Sequence, residues 1–272
     1  MVDIYYKNSR GREVHFTSWP YQLSESDFFD YEWDYDSVNS PGFGGRVTKM
    51  GRKVTKYSAT VSTLTAQARA ELLEILETDV LALTPGRLYV GENYLTCYVY
   101  GSSKSDLRDP AGFAVCKLKI ATGQPMWIRE QYYRFDVSMA QISGDAKVYP
   151  SLYPWRYASG MKNCRITNTH YAACNFLMRI YGRALNPQIY IGGNLYGFNV
   201  LLEDQEYLEI DSAAGTIYKI MNGGARENCF NVRDKSADAF LPIAPGTQQV
   251  TWSGEFDFEI ILFEERSEPK WQ

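Results

Sequence analysis

NPQIYIGGNLYGF, residues 186–198, is the stretch that decides the fold class of this chain. Its short apolar runs stop at Gly or Asn, and the runs YLEID at 207–211 and TIYKI at 216–220 continue the pattern. Runs of this length, separated by turn-forming residues, are typical of strands joined by hairpins. The region contains no catalytic motif, so the pattern favours a binding or assembly module over an enzyme.

Length and cysteine content set further bounds. The 272 residues suffice for one large or two medium domains, and a chain of this size buries roughly 70–75% of its unfolded surface. The five cysteines form no Cys-x-x-Cys pair, which argues against a disulfide framework and against a zinc site. We expect the cysteines to be small core residues of a protein that is made in a reducing cytoplasm. The cysteines are Cys97, Cys116, Cys164, Cys174 and Cys229.

The sequence offers little material for catalysis. His15 and His170 fall in different predicted domains, where we expect ordinary strand residues rather than a triad or a multi-histidine metal site. Serine-hydrolase, zinc-protease and P-loop motifs do not occur, and Gly42–Val47 fails the G-x-G-x-x-G pattern. A carboxylate pair for glycoside hydrolysis stays open, although Glu209 and Glu259 fit a solvent-facing strand side. The sequence therefore predicts no enzyme, and no catalytic, cofactor or metal site.

Targeting signals and overall charge point to a protein made in the cytoplasm. The N-terminus lacks the basic start and apolar stretch of a signal peptide. The sequence also contains no run of about 18 apolar residues, the length that a membrane-spanning helix needs. The net charge of −4 gives no drive toward nucleic acid phosphates. We expect no signal peptide, no membrane insertion and no specific DNA binding.

The first half of the sequence predicts strands interrupted by one helix. Thr65 is suited to cap a helix that runs through Leu76, with Ala68, Leu72, Leu73 and Leu76 on one apolar stripe. We expect this helix to pack on a sheet. Alternating or β-branched residues predict strands at 14–17, 46–49, 56–63, 94–100 and 114–120.

The strand pattern fades in the middle of the chain and then resumes. YPSLYPWRY at 149–157 combines two prolines with aromatic residues, which is unlike a flexible Gly/Ser linker. Later strand signals show no helical period, which is typical of a β-sandwich. We therefore predict a mainly β protein, with a β-sandwich-like N-terminal domain carrying one packed helix at 1–137, a connector at 138–161 and a second β-sandwich at 162–266.

Charged residues are segregated within the first domain. Residues 1–135 contain 16 of the 28 basic and 16 of the 32 acidic side chains. Some of them form an acidic block, made up of Glu25, Asp27, Asp30, Glu32, Asp34 and Asp36, followed by a basic block, made up of Arg46, Lys49, Arg52, Lys53 and Lys56. Either these blocks are solvated strand faces that neutralise each other within one molecule, or one copy's acidic edge meets the next copy's basic edge in a head-to-tail ring. The candidate interface residues are Glu32, Asp34, Asp36, Arg52, Lys53 and Lys56.

Aromatic side chains make up 15% of the residues, and exposed rings could stack on sugars. Most of them should be packing residues in a β protein. The candidates for carbohydrate contact are Trp155, Tyr196 and Trp252.

In the order of its segments the chain resembles the distal tail proteins (Dit) of siphoviruses, a family of phage tail components. The resemblance covers nearly the whole chain. It rests on the strand, helix and hairpin order of residues 46–100, on QPMW at 124–127 and on the aromatic and proline-rich connector. It also rests on the order strand, LEID at 208–211, turn, strand and then LPIAPGTQQV at 241–250.

The resemblance implies a structural hub of a phage tail tip or baseplate. Six copies would form a ring through their N-terminal domains, between the tail tube protein and a tail-associated or receptor-binding baseplate protein. The C-terminal domains would be galectin-like β-sandwiches projecting outward, and DNA would pass through the ring without specific binding. The alternative is a lectin-like carbohydrate-binding module, which accounts for the second half of the chain only.

Overall fold

The computed structural model describes residues 2–40, 42, 44–108, 112–137 and 162–270. The predicted connector at 138–161 lies outside these residues. The described residues form two compact units: unit 1 runs to Arg129 and includes the segment from Glu265 onward, and unit 2 lies between Glu130 and Glu264. The domain limits expected from the sequence stay a prediction.

Unit 1 is built from antiparallel strands and one helix. One set of strands pairs in the order β2-β1-β7-β8-β10, and another pairs in the order β3-β6-β9-β8. β8 belongs to both sets, because its first half pairs with β7 and its second half with β9. The elements are β1 (Ile4–Lys7), β2 (Glu13–His15), β3 (Tyr21–Ser26), β4 (Asp34–Ser40), β5 (Gly44–Gly51), β6 (Thr55–Thr63), α1 (Ala66–Ala82), β7 (Gly86–Val90), β8 (Asn93–Arg108), β9 (Phe113–Thr122) and the start of β10 (Trp127–Phe135).

Period-two burial identifies the core strands of unit 1. On β9, Ala114, Cys116, Leu118 and Ile120 are buried, and the residues between them are half-buried or exposed. β6 follows the same alternation. Because successive side chains of a strand point to opposite faces, this pattern gives each strand one face on the core, which also contains the buried residues of α1. The strand predictions for this region are confirmed.

The predicted helix is present and extends six residues further, to Ala82. Thr65 caps it, since the Thr65 side chain accepts a hydrogen bond of 3.1 Å from the backbone N–H of Ala68. The predicted stripe needs one correction: Leu73 is only half-buried, and Ile75 is buried in its place. The buried face of the helix is therefore centred closer to Ile75 than the sequence predicted.

Unit 2 contains two main antiparallel sheets with one core between them, and a separate two-stranded sheet formed by β13 and β16. One sheet has the order β11-β20-β14-β15, and the other includes β19-β18-β17-β12-β21. The strands are β11 (Lys162–Asn168), β12 (Asn175–Tyr181), β13 (Ala184–Leu185), β14 (Gln188–Ile191), β15 (Asn194–Gly197), β16 (Leu201–Leu202), β17 (Tyr207–Asp211), β18 (Thr216–Ile220), β19 (Arg226–Asn228), β20 (Gly246–Trp252) and β21 (Phe258–Arg266).

Both sheets contribute to a single apolar cluster. Ile189 and Val250 enter it from the four-stranded sheet, and Met178, Leu208 and Ile260 enter it from the other sheet. All five side chains are fully buried. Two sheets that bury their inner faces in one core form a β-sandwich, so the predicted mainly β, sandwich-like fold class is confirmed.

The histidines and cysteines have mostly the expected surroundings. His15 lies on β2, whereas His170 was wrongly predicted as a strand residue: it lies in the bend after β11, where it is buried. All five cysteines are free thiols. Cys97, Cys116, Cys174 and Cys229 are buried as small core residues, and Cys164 is partly buried.

Candidate subunit interface

The β4–β5 hairpin is a separate two-stranded sheet, and both of its faces are exposed. Every side chain described on β4 is exposed, and so are residues 44–50 of β5. A two-stranded hairpin without a covered face is marginally stable at best in water, because no apolar burial offsets the cost of ordering it. A surface of this kind is suited to contact another molecule.

Large apolar side chains lie on this exposed hairpin. Tyr35 and Met50 each expose 61% of their surface, and Val38 and Val47 expose 54% and 52%. Single exposed apolar residues are common on any protein surface, but several on one uncovered element mark a contact site. The apolar residues of the hairpin therefore add area that an assembly could bury.

The base of the hairpin is fixed to the C-terminal segment of unit 1. The indole N–H of Trp33 donates a 3.2 Å hydrogen bond to the Ser267 hydroxyl. The Arg52 guanidinium lies 5.7 Å from the centre of the Trp33 ring and forms a 2.9 Å ion pair with Glu265. The hairpin is thus held at its base, while its two strands extend into solvent.

The structure brings the predicted acidic and basic interface residues together within one molecule. The Lys53 ammonium lies 3.4 Å from the Glu32 carboxylate and 4.0 Å from that of Asp34. Asp36 faces Lys49 in the strand register. Some of these charges are therefore neutralised within one molecule. Exposed ion pairs of this type contribute no more than about 1 kcal/mol to stability. A role of these six residues between copies stays a prediction.

A pocket of about 420 Å³ opens at the base of the hairpin, where residues 27–32 meet residues 55–57. Asp27, Asp30 and Glu32 provide three carboxylates, and Lys56 provides one ammonium group. The phenol of Tyr57 also lines the pocket: Tyr57 is 4% exposed, and its hydroxyl has no hydrogen-bond partner among the described residues.

Burial raises the pKa of Tyr57, and the negative charges of Asp27 and Asp30 raise it further. Sequence reasoning had placed Asp27 and Asp30 in the acidic block but missed Tyr57, which resembles any strand residue until the two segments meet. The pocket is therefore acidic, and the Tyr57 hydroxyl is itself inaccessible to solvent.

The predicted carbohydrate contacts are wrong for two residues. Tyr196 and Trp252 are each 1% exposed, so neither presents a ring face to a sugar. Tyr196 donates a 2.7 Å hydrogen bond to the Leu241 carbonyl, and Trp252 donates one of 3.2 Å to the Phe256 carbonyl. Both are core residues of the sandwich, and Trp155 lies outside the described residues.

The acidic residues considered for glycoside hydrolysis act as structural ion pairs. The Arg179 guanidinium lies 3.0 Å from Glu209 and 3.0 Å from Glu259, and it links the three neighbouring strands β17, β12 and β21. Within the described ranges, no group of three or more His, Cys, Asp or Glu side chains could hold a metal ion. In the same ranges, no helix has the length and apolarity needed to cross a membrane.

No protein-family model and no curated protein sequence matches this chain. Among solved structures, it is similar to the SPP1 Dit (gp 19.1) protein, described as a paradigm of the hub adsorption apparatus in phages that infect Gram-positive bacteria. The TM-score is 0.61 at 11% identity, and the match covers 98% of this chain and 99% of that one.

Chains of the phage P2 baseplate in its activated conformation give similar values. The structure with Ca gives a TM-score of 0.63 at 14% identity, covering 98% of this chain and 99% of that one. The structure with Sr gives 0.64 at 14% identity, covering 99% and 100%. At such low identity the likeness establishes a shared fold, and it does so across both units of the chain.

Proposed function

We propose that this chain is a structural, non-enzymatic subunit of a bacteriophage tail tip, a hub that assembles as a homohexameric ring. One observation carries the proposal: the fold matches the SPP1 Dit hub protein over 98% of this chain and 99% of that protein. A free binding module would account for unit 2 alone. A fold does not by itself fix a function, so an independent feature is needed in support.

That feature is the β4–β5 hairpin. A hairpin that is exposed on both faces, carries apolar residues and is fixed at its base is suited to a contact between copies. When the hairpin of one copy contacts a different surface on the next, the interface is heterologous. Heterologous interfaces form a ring when the rotation between copies closes, and the proposed hub requires such a closure. Unit 1 would then form the ring, and unit 2 would lie at its periphery.

The partners and location follow from this role. The ring would lie between the tail tube protein and a tail-associated or baseplate protein, in the virion tail tip. DNA would pass through the central opening without specific binding, in keeping with the net charge of −4. The protein would be made in the cytoplasm of the bacterial host.

Negative-stain electron microscopy of the purified full-length protein, at high concentration and low salt, tests the proposal. We expect rings of six subunits with a central opening. If no rings form alone, the same imaging with the tube protein tests templated assembly. Failure to form rings under both conditions would contradict the hub function. A glycan array with the full chain tests the lectin alternative, for which we expect no binding.

A further inference from the structure

The turn between β18 and β19 contains a reactive pair of residues. Residues 221–224 read MNGG, and Asn222 is the only asparagine in the chain that is followed by glycine. Asparagine is a thermolabile residue, because the backbone nitrogen of the next residue can attack the carbon of its side-chain amide. Glycine at that next position has no side chain to hinder the attack.

The backbone of this turn requires the glycine and exposes the asparagine. Asn222 and Gly223 are both exposed. Two backbone hydrogen bonds of 2.9 Å close the turn, from the Gly224 N–H to the Met221 carbonyl and from the Met221 N–H to the Ala225 carbonyl. Gly223 has a φ of +111°, a conformation that residues with a side chain rarely adopt. The geometry of the turn therefore keeps glycine next to Asn222.

The two groups that would react have no competing hydrogen bonds. Within the described part of the chain, the Gly223 N–H donates no hydrogen bond and the Asn222 side-chain amide has no partner. A Cβ built on Gly223 would meet no atom within 4 Å other than those of its chain neighbours. The described residues therefore neither hold the amide away from the nitrogen nor block its approach.

Other asparagines of unit 2 differ from Asn222 in these properties. Asn168 is buried, and its amide nitrogen donates hydrogen bonds to two backbone carbonyls. The amide nitrogen of Asn194 donates a 2.9 Å hydrogen bond to a backbone carbonyl. Asn186 is followed by proline, whose nitrogen carries no hydrogen and cannot perform the attack. Asn222 combines the reactive neighbour with an exposed and unbonded amide.

We infer that Asn222 is a site of spontaneous deamidation. The Gly223 nitrogen gives its proton to hydroxide and attacks the amide carbon of Asn222, so that a new C–N bond closes a succinimide ring. The bond between that carbon and the amide nitrogen breaks, and the nitrogen takes a proton from water and leaves as ammonia. Water then opens the ring at either carbonyl and gives aspartate or isoaspartate. The whole reaction consumes one water and releases one ammonia, without an enzyme or an oxidant.

The reaction changes the turn in two ways. Both products place a negative charge where the neutral amide was. Isoaspartate also routes the backbone through the former side chain, which adds one methylene group between Met221 and Gly223. The two hydrogen bonds that close the turn span this position, so we expect isoaspartate to loosen the start of β19. β19 is the last strand of its sheet, and the modification therefore acts at a sheet edge.

Peptide mapping by mass spectrometry, after incubation of the full chain at mildly alkaline pH, tests the inference. We expect Asn222 to convert to a mixture of aspartate and isoaspartate, which fragment spectra distinguish. The converted fraction should be at least about tenfold larger than at Asn194, whose amide is bonded and whose next residue is leucine. The initial rate should rise with pH, because the attacking nitrogen must first lose its proton.

Two variants at the same position serve as controls. Asn222→Gln keeps an exposed amide but has one more methylene group, so the attack would have to close a larger ring. We expect no conversion at this position over the same time. Asn222→Asp carries the product charge from the start, so converted wild type should elute with it on ion exchange. Both changes are at an exposed turn, and the melting temperatures of the fresh variants should match that of the wild type.

Three results would overturn the inference. An Asn222 side chain that stays an amide, or converts no faster than Asn194, would show that the folded turn protects it. Conversion to aspartate without isoaspartate would indicate direct hydrolysis rather than a succinimide. A rate that does not rise with pH would exclude attack by the Gly223 nitrogen. None of these results bears on the hub function, because the reaction does not depend on the ring.

Discussion

β5 and β6 are separated by only three residues, yet their surroundings are opposite. β6 pairs on both sides, with β3 and β9, and buries Tyr57, Ala59, Val61 and Thr63 in alternation. β5 pairs with β4 alone, and its residues 44–50 are exposed. The two strands thus share an extended backbone conformation, but one strand packs in the core and the other lies in solvent.

This difference shows where the stability of unit 1 is located. Apolar burial is the main favourable contribution to folding, and it is present on β6 and β9 and absent on the hairpin. Substitutions in the core ladder should therefore change the stability of the single chain. Substitutions in the hairpin should change association between copies.

The largest effect on stability is expected from a cavity in the β6–β9 ladder. Leu118 is fully buried, and Leu118→Ala should lower the free energy of unfolding by about 3 kcal/mol, through lost burial and the cavity left behind. Urea denaturation followed by circular dichroism measures this. The matched control is Leu107→Ala on β8, where the side chain is 57% exposed and the change should stay within about 0.5 kcal/mol. Equal effects at both positions would contradict the comparison.

The next effect concerns a buried carboxylate on α1. Asp79 is fully buried and accepts hydrogen bonds from the Tyr6 hydroxyl at 2.6 Å, the Ser9 N–H at 2.8 Å and the Ser9 hydroxyl at 2.6 Å. An acid near a helix C-terminus is unfavourable for the helix dipole, so its role is to hold the N-terminal strands against α1.

Asp79→Asn should destabilise unit 1 by about 2 kcal/mol, because the amide nitrogen would face a donor and leave it without an acceptor. Thermal unfolding measures the change. Glu77→Gln, at an exposed position on the same helix, is the control, and its melting temperature should match that of the wild type. A wild-type melting temperature for Asp79→Asn would show that the network adds nothing.

The sequence predicted those elements whose burial alternates along the chain. The strand predicted at 94–100 lies within β8, and its alternate residues Leu95, Cys97 and Val99 are all buried. The hairpin shows the limit of this reasoning. Val47 beside polar neighbours has the same pattern as a half-buried strand, and only the missing third strand leaves both faces open. A local pattern indicates a strand but not whether anything covers it.

The candidate site was less predictable, because it depends on contacts between distant segments. Tyr57 belongs to the pocket only because residues 27–32 pack beside it. Tyr196 and Trp252 were expected at the surface, yet both point into the sandwich core. The side chain of an aromatic residue in a strand lies on one of the two faces of its sheet. Whether that face is buried depends on the sheet that packs against it.

A smaller effect should distinguish the tyrosines of the core from those of the hairpin. Tyr21 is buried and donates a 2.9 Å hydrogen bond to the Ala68 carbonyl, and burial raises its pKa to about 12. A pKa raised in the folded state adds stability that is complete below the unfolded pKa of about 10 and declines as the pH rises from there toward 12.

Tyr21→Phe should therefore cost about 1 kcal/mol at pH 7, through the lost hydrogen bond. Between pH 8 and pH 11, the free energy of unfolding of Tyr21→Phe should also fall by about 1 kcal/mol less than that of the wild type, because the variant lacks the titrating phenol. Tyr35→Phe in the exposed hairpin is the control, and its stability should follow the wild-type pH curve. Parallel curves for Tyr21→Phe and wild type would show that this phenol does not titrate late.

The smallest effect on stability is expected in the hairpin itself, where it carries the most information about function. Met50 is 61% exposed, so Met50→Ala should change the free energy of unfolding of the monomer by less than about 0.5 kcal/mol. If the hairpin packs against a second copy, the same truncation removes buried apolar area from the interface and should weaken self-association by about 1 kcal/mol or more, or roughly fivefold. Sedimentation velocity and urea denaturation of the same sample measure both quantities. A variant that loses monomer stability but associates normally would place Met50 in the fold rather than in the contact, and the distinction between β5 and β6 would fail.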